Sequence, residues 1–186
     1  MLGINELRRN PTPSPLPTNV RRKKLDKVIY IDLDIHHGDG VEAAFAGTKI
    51  RTLSIHCHAP LFFPSTGPTS GALNGPLNIA ARPGLGDASL LRLVENVVLP
   101  VLATIEPEAV VIQLGVDGLV GDAVNEWNLS ISGMGGALRM ILLDACGNRK
   151  VLLLGGGGYH SANAARAWTY FTSIAVRSRS ILSASR

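Results

Sequence analysis

The sequence has few cysteines, few aromatic residues and no long apolar run. Its two cysteines, Cys57 and Cys146, form no C-x-x-C pair, which excludes a disulfide framework and a thiolate zinc site and favours a reducing compartment. No uninterrupted apolar run approaches the roughly 18 residues that span a bilayer, and the polar, basic N-terminus lacks the apolar segment of a secretory signal. We therefore expect a soluble, intracellular protein with no membrane partner.

Acidic residues are scarce at the two ends of the chain. Residues 1–27 carry seven basic and two acidic side chains, residues 177–186 carry three basic and no acidic ones, and the rest has a net charge of −4. The high pI therefore comes from the ends, and we expect no nucleic-acid site on the central part. We interpret residues 1–27, which include the proline-rich stretch Asn10–Pro17, as a disordered basic arm, and residues 177–186 as a basic tail. The run Arg21–Lys24 is either a nuclear-import signal or a solvated charge cluster.

Short apolar runs alternate with helical patterns over residues 28–176. Runs rich in Val, Ile and Leu predict buried parallel strands, and segments with apolar residues at helical spacing predict helices. This alternation indicates an α/β fold whose parallel sheet is covered on both faces. The Gly-, Pro- and Ser-containing stretch Pro60–Pro83 is predicted to be a long loop. The predicted strands are Val28–Leu33, Ile50–Ile55, Ala109–Leu114 and Val151–Leu154, and the predicted helices are Ala88–Thr104, Gly133–Leu143 and Ser161–Ala175.

Two carboxylates and an imidazole follow the first predicted strand. In an extended chain Asp32, Asp34 and His36 point to the same side, and burying them without a partner is costly. A Zn²⁺ or similar divalent ion would compensate them; the alternative is a solvated strand end with an Asp–His hydrogen bond. Asp117 follows the third predicted strand and should lie at the same edge of the sheet. It either completes a three-ligand metal site with an open position or caps a helix.

Four glycines, Gly155–Gly158, follow the fourth predicted strand and allow the backbone to approach a bound group closely. Tyr159 comes next, at the same edge of the sheet, where its hydroxyl can donate to a developing oxyanion. A glycine-rich turn after a strand can also bind phosphate. However, the chain has neither a Walker A sequence nor a G-x-G-x-x-G followed by a suitable acid, and we discount a nucleotide site.

These segments resemble, in order and in local sequence, the zinc-dependent histone deacetylases of class I. The resemblance extends over about Val28 to Ala175 and implies the three-layer α/β fold of arginases and deacetylases, with a partial deacetylase domain over residues 28–176 that is incomplete at both ends. Arginases share this fold but carry a two-metal ligand pattern, which this chain lacks. The matching segments are Asp32–Glu42 (DLDIHHGDGVE), Phe62–Gly67 (FFPSTG), Gln113–Asp122 (QLGVDGLVGD), Leu154–Tyr159 (LGGGGY) and Ala165–Tyr170 (ARAWTY).

The resemblance implies a role for each matched residue. Tyr159 would stabilise the oxyanion, and Phe63 and Gly157 would line the tunnel that holds the acetyl-lysine stem. The implied ligands of one catalytic Zn²⁺ are Asp34, His36 and Asp117, and those of a structural K⁺ are Asp32, Asp34, His36, Ser54 and Ile55. The implied function is removal of acetyl groups from lysines of histones or other proteins in the nucleus. Transcriptional repression would be its outcome, and corepressor subunits would be partners.

The family also uses a tandem histidine pair, upstream of the D-x-D-x-H segment, as a general base. The five histidines of this chain provide no such pair, and we expect His56 and His58 to be loop residues rather than replacements. General bases contribute about 10²–10⁴-fold, so we expect severely impaired activity from this chain alone. Two alternatives stay open: a catalytically inactive remnant that binds metal or a partner, and a deacetylase of small molecules such as acetylpolyamines.

Overall fold

A computed structural model of the protein describes residues 25–71, 75–146 and 149–184. Six strands form one sheet in the order β3-β4-β2-β1-β5-β6, and every pairing except β3–β4 is parallel. The expected α/β architecture is therefore confirmed. The strands are β1 (Val28–Asp32), β2 (Arg51–Cys57), β3 (Ser70–Gly71), β4 (Leu77–Ala81), β5 (Ala109–Gln113) and β6 (Lys150–Leu154). The helices are α1 (Asp39–Phe45), α2 (Asp87–Leu93), α3 (Leu99–Ile105), α4 (Ile131–Met140) and α5 (Ser161–Ala184), and π-helical turns at Val94–Val98 and Ile141–Cys146 follow α2 and α4.

Two predicted boundaries are wrong. Pro60–Pro83 is not a loop throughout, because it contains β3 and β4, and β4 pairs with β2 inside the sheet. Its sequence, LNIAA, gives a weak strand signal that tertiary pairing overrides. Helix α5 continues to Ala184, through most of the predicted basic tail, because no Gly or Pro stops it after Ala175. Residues 1–24, which contain most of the predicted arm (residues 1–27) and the run Arg21–Lys24, lie outside the described residues.

The main core lies between the sheet and the helices α2 to α5. The continuous helical segment Asp87–Ile105 buries Leu90, Val94, Val98 and Leu102 at a spacing of four residues, each worth about 1.5–3 kcal/mol of burial free energy. By length and composition alone this segment could cross a membrane. Four of its apolar residues form the buried stripe, and most of the others are partly buried and pack against the same core: Leu91, Leu93, Leu99, Val101 and Ile105.

The other face of the sheet is covered only in part. Tyr30, Val111 and Leu152 are neighbours in the strand register and point to this face; Leu152 is 55% exposed and Leu154, further along β6, is 38% exposed. Strand β6 pairs only with β5 among the described strands and forms one edge of the sheet. Parallel sheets are normally covered on both faces. In the part of the chain that the structure describes, these leucines instead form an exposed apolar surface, here called the β6 face (Leu152 and Leu154 with Tyr30 and Val111).

Candidate metal centre

The segments after β1 and β5 bring Asp34, His36 and Asp117 together at the carboxyl edge of the sheet. One donor atom from each lies within 4.8 Å of the others. The His36 Nδ1 atom is 3.2 Å from Asp34 Oδ1 and 3.0 Å from Asp117 Oδ2. Both carboxylates are buried, whereas the His36 side chain keeps 22% of its surface exposed. The three residues singled out as zinc ligands therefore form one cluster that is open on the imidazole side.

Hydrogen bonds from the surrounding backbone and side chains orient the two carboxylates. Asp34 Oδ2 accepts from the Gly157 N–H at 3.0 Å and from Gln113 Nε2 at 3.2 Å, and Asp117 Oδ1 accepts from the Ile35 N–H at 3.2 Å. Burial by itself would raise the pKa of Asp34, but these bonds and those from His36 lower it below its usual value. The ligands are thus held in place by groups on three strand ends.

The charges of the cluster fit a divalent cation. Hydrogen bonds to Asp117 and Asp34 raise the pKa of His36 to about 9, so that in the absence of metal a protonated imidazole lies between the two carboxylates. Burial and the charge of Asp34 raise the pKa of Asp117. A bound cation replaces that proton and relieves the repulsion between the carboxylates. Three oxygen and nitrogen ligands with an open fourth position are the set that catalytic Zn²⁺ uses.

Gly157 and Asp122 place the glycine-rich turn against the cluster. Besides donating to Asp34, Gly157 lies so close to the ligands that a Cβ atom built on it would collide with the Asp117 carboxylate. Asp122 is buried, and its Oδ2 accepts from the backbone N–H groups of Tyr159 at 2.7 Å and His160 at 3.1 Å. The role of Asp122 could not be predicted from the sequence, because only its contact with a distant turn shows what it does.

Three aromatic rings are exposed or half-buried around this centre. The Phe62 ring is stacked on the His36 imidazole, with 5.2 Å between ring centroids and 9° between the planes. Phe63 meets the same imidazole at 6.1 Å in an edge-on arrangement and is 74% exposed. Tyr159 is 63% exposed, and partial burial together with the charges of Asp117 and Asp34 raises the pKa of its hydroxyl. Phe62 was not singled out from the sequence, since an F-F pair does not reveal which ring meets the ligand.

The residues expected to hold potassium lie at the end of β1, in the segment that follows it, and within the neighbouring strand β2. Asp32 is paired with Ser54 in the strand register, and Ile55 is fully buried. Asp32 is 2% exposed, and its carboxylate accepts from the Tyr30 hydroxyl at 3.2 Å and from the Asp34 N–H at 3.1 Å. Burial raises the pKa of Asp32 to about 7.

The histidines outside the cluster differ in their environments. His56 was expected from the sequence to be a loop residue, but this prediction is wrong, because His56 lies fully buried in β2. Its Nδ1 atom is 2.9 Å from Ser54 Oγ, and its Nε2 atom is 2.7 Å from the Gly67 carbonyl oxygen. Burial lowers the pKa of His56 to about 4, so its ring is neutral at pH 7. His58 follows the strand and is exposed. Both ring nitrogens of His56 are already bonded, and it is therefore unsuited to act as a general base.

These features define an α/β protein with three clustered side chains whose donor atoms fit a divalent metal, as in metal-dependent hydrolases. The family model for the histone deacetylase domain matches residues 18–175. The chain therefore belongs to the histone deacetylase family.

Curated relatives agree with this assignment. The chain is 42% identical over 161 residues to histone deacetylase 8 of Xenopus laevis, and this match covers 83% of this chain and 49% of the relative. It is 40% identical over 156 residues to histone deacetylase HOS1 of Saccharomyces cerevisiae, and 41% identical over 160 residues to histone deacetylase 6 of Arabidopsis thaliana; each match covers 33% of the relative. The chain thus spans about half or less of the length of these relatives.

Proposed function

We propose that this chain forms part of a zinc-dependent deacetylase that removes acetyl groups from lysine side chains of histones or other proteins. The observation that carries the proposal is the convergence of Asp34, His36 and Asp117 beneath exposed aromatic rings, in a chain of this family. Asp34, His36 and Asp117 would hold the ion. When bound, Zn²⁺ supplies a Lewis acid for the acetyl carbonyl and a water molecule of lowered pKa.

Residues around the ligands have distinct tasks in this proposal. The Tyr159 hydroxyl keeps its proton at neutral pH, since the ordinary tyrosine pKa of about 10 is raised further here, and it donates to the carbonyl oxygen as negative charge develops there. Phe63, beside the exposed edge of His36, offers an apolar wall to the methylene stem of acetyl-lysine. Gly157 keeps the backbone close behind the ligands, where its N–H supports Asp34.

The general base is proposed to lie in the part of the deacetylase domain that this chain does not match. His37 and His56 have both ring nitrogens engaged in hydrogen bonds, so neither is free to take a proton from water. Without a base we expect turnover about 10²–10⁴-fold below that of a complete domain.

The direct test measures deacetylation of an acetyl-lysine peptide by the full chain with added Zn²⁺. Tyr159→Phe removes only an exposed hydroxyl and leaves the ligands untouched, so it tests the oxyanion role separately. Asp34→Ala removes one of the ligands. Weak turnover that is lost in both variants supports the proposal. Turnover that persists in Asp34→Ala contradicts it, and turnover equal to that of a complete domain contradicts the need for an external base.

The β6 face favours a second candidate function, a catalytically inactive module that binds a partner. The partner that fits is the remainder of a deacetylase domain, because the relatives are about twice as long as the chain or longer and an uncovered parallel sheet requires a second layer. We expect the separately produced remainder of a relative's domain to bind this chain, and Leu152→Lys to weaken that binding. Binding without deacetylation supports the inactive module, whereas binding that restores turnover supports the enzyme.

A deacetylase of small amines is a third possibility. The FFPSTG loop and the WTY segment of α5 are similar to those of class I enzymes, and this similarity favours protein substrates. Parallel assays with an acetyl-lysine peptide and an acetylpolyamine distinguish the two, since a preference for the polyamine would contradict a protein substrate.

A structural potassium ion is also proposed, held by Asp32, Asp34, His36, Ser54 and Ile55. Its support is the buried carboxyl of Asp32, whose pKa is raised by desolvation and which a cation would stabilise in its charged form. We expect KCl to raise the thermal stability of the chain more than LiCl at equal ionic strength. Equal effects of the two salts would contradict a specific potassium site.

Nuclear localisation, transcriptional repression and corepressor partners are proposed from the family alone. Acetylated histone tails are the substrates that this setting would supply. A fluorescent fusion of the full chain should accumulate in nuclei, and replacement of Arg21–Lys24 by alanines should reduce that accumulation if the run is an import signal. Exclusion of the unaltered fusion from nuclei would contradict this proposal.

A further inference from the structure

The segment Phe62–Gly67 carries the two rings that contact His36, although it belongs to no strand or helix. Local bonds make a turn at its beginning, where the Phe62 N–H donates to the Ala59 carbonyl at 3.1 Å and Ser65 Oγ donates to the Phe62 carbonyl at 2.9 Å. These local bonds do not fix the segment relative to the metal ligands. Contacts with the sheet must do so.

Two buried histidines supply those contacts, one at each of the last two residues of the segment. His37 Nδ1 is 2.8 Å from Thr66 Oγ1, and His56 Nε2 is 2.7 Å from the Gly67 carbonyl oxygen. We propose that His37 and His56 are positioning residues, which tie the Phe62–Gly67 segment to the ends of β1 and β2 and thereby set the Phe62 ring on the His36 imidazole.

The hydrogen-bond partners determine which nitrogen of each ring carries the proton. A carbonyl oxygen can only accept, so His56 Nε2 donates to Gly67 and Nδ1 accepts from the Ser54 hydroxyl. In His37 the Nε2 atom is 2.9 Å from the Glu42 carboxylate and donates to it, and Nδ1 bonds to the Thr66 hydroxyl. Both rings therefore have their proton on Nε2 when neutral.

Packing around Gly67 strengthens the attachment. The two histidine rings lie together, with 4.5 Å between their centroids. A Cβ atom built on Gly67 would lie 2.7 Å from both His37 and His56, and Gly67 has a positive φ of 73°. Only glycine fits between these rings in this conformation. The end of the segment is thus held by two hydrogen bonds and by close packing on both imidazoles.

A further anchor prevents His37 from turning. Glu42 Oε2 accepts from His37 Nε2 and also from Asn78 Nδ2 at 2.8 Å. The Glu42 carboxylate of α1 therefore links the His37 ring, which holds Thr66, to Asn78 of β4. Neighbouring histidines consequently serve different purposes: His36 faces the candidate metal, and His37 faces the segment that covers it.

The inference rests on the proposed function only for its purpose, the shaping of the substrate wall, and its test does not require turnover. In the unaltered full chain, ¹⁵N NMR should show a protonated Nε2 atom in both His37 and His56, and ring-to-ring Overhauser effects should connect Phe62 with His36. The opposite tautomers, or no Overhauser effect between these two rings, would overturn the inference. This measurement uses no variant, so it stands even where a substitution prevents folding.

Substitution then tests the link between Thr66 and the Phe62 ring. In the full chain the stacked ring shifts the carbon-bound His36 protons upfield, and Thr66→Val, which removes the hydroxyl at similar volume, should abolish that shift. Thr66→Ser keeps the hydroxyl and should retain it. Thr69→Val is the matched control, because the Thr69 hydroxyl accepts from the Ala80 N–H and does not contact His37. A shift retained in a folded Thr66→Val chain, or lost equally in Thr69→Val, would refute the positioning role.

Discussion

Zinc binding to the Asp34–His36–Asp117 cluster requires the His36 imidazole to lose a proton. The pKa of His36 is raised to about 9 by its bonds to Asp117 and Asp34, so at pH 7 more than nine-tenths of the metal-free chains carry that proton. Metal and proton then compete for the same nitrogen. We expect close to one proton to be released for each Zn²⁺ bound at pH 7.

The pH dependence of the zinc affinity follows from the same pKa of His36. Below pH 9 the apparent zinc affinity should rise about tenfold for each pH unit, which is about 1.4 kcal/mol per unit. From pH 6 to pH 8 the dissociation constant should therefore fall about 100-fold. Titration calorimetry at these pH values, in two buffers of different ionisation enthalpy, gives both the affinity and the number of protons released.

Asp32 provides the control for this experiment. Its pKa is raised to about 7, so a cation bound nearby could displace a proton from Asp32 as well. Asp32→Asn removes that contribution, and the release that remains belongs to the ligand cluster. A zinc affinity that does not change between pH 6 and pH 8, with no proton released in either chain, would refute the reasoning about His36.

The free energy of unfolding should change with pH in opposite directions in the metal-free and the zinc-loaded chain. In the metal-free chain the raised pKa of His36 stabilises the fold fully below pH 6.5, and this stabilisation is lost as the pH rises through about 9. The shift corresponds to at most about 3 kcal/mol, and about half of that is expected because the side chain is 22% exposed and partly screened. Urea unfolding should therefore show a less stable metal-free chain at pH 9 than at pH 6, and a zinc-loaded chain with the reverse trend.

Three substitutions test other parts of the account. Gly157→Ala should weaken zinc binding at least tenfold in the same calorimetric assay, because the new Cβ atom collides with the Asp117 carboxylate. Gly155→Ala is the control and should bind zinc normally, because its Cβ atom meets the Trp168 ring only at an ordinary contact distance. Asp122→Ala should lower the free energy of unfolding in urea by about 1–3 kcal/mol, since two backbone N–H groups lose their charged, partly buried acceptor; a change below about 0.5 kcal/mol would contradict this role. Leu61→Asn should raise the melting temperature by a few degrees, because Leu61 is wholly exposed with a φ of 64°, a conformation that asparagine adopts more easily; a lower melting temperature would show that Leu61 has a packing role.

Regular features of the fold were predictable from local sequence. The Val- and Ile-rich runs that became β1 and β5 were located to within a residue, because four or five successive apolar residues ending at Asp or Gln are typical of buried parallel strands. Strand β4 was missed, since LNIAA has only two large aliphatic residues and is defined by its pairing with β2. Helix α5 was predicted to end too early, at Ala175, although no Gly or Pro after that residue marks a stop.

The ligand cluster could be predicted, but its supporting contacts could not. Alternation along one strand places Asp34 and His36 on the same side, and strand ends in a parallel sheet share an edge, so their meeting with Asp117 follows from local rules. The stacking of Phe62 on His36 and the bonds of His56 to Gly67 join segments whose relative position no local rule specifies. Such contacts depend on how a loop folds back over the sheet.

Zinc K-edge X-ray absorption of the full chain, loaded with one equivalent of Zn²⁺ and dialysed, tests the central claim most directly. The account predicts one retained zinc per chain with only oxygen and nitrogen neighbours at about 2.0–2.2 Å, including the scattering pattern of a single imidazole, and loss of that metal in Asp117→Ala. A sulfur neighbour at about 2.3 Å, or zinc that is retained equally by Asp117→Ala, would contradict a metal centre built from Asp34, His36 and Asp117.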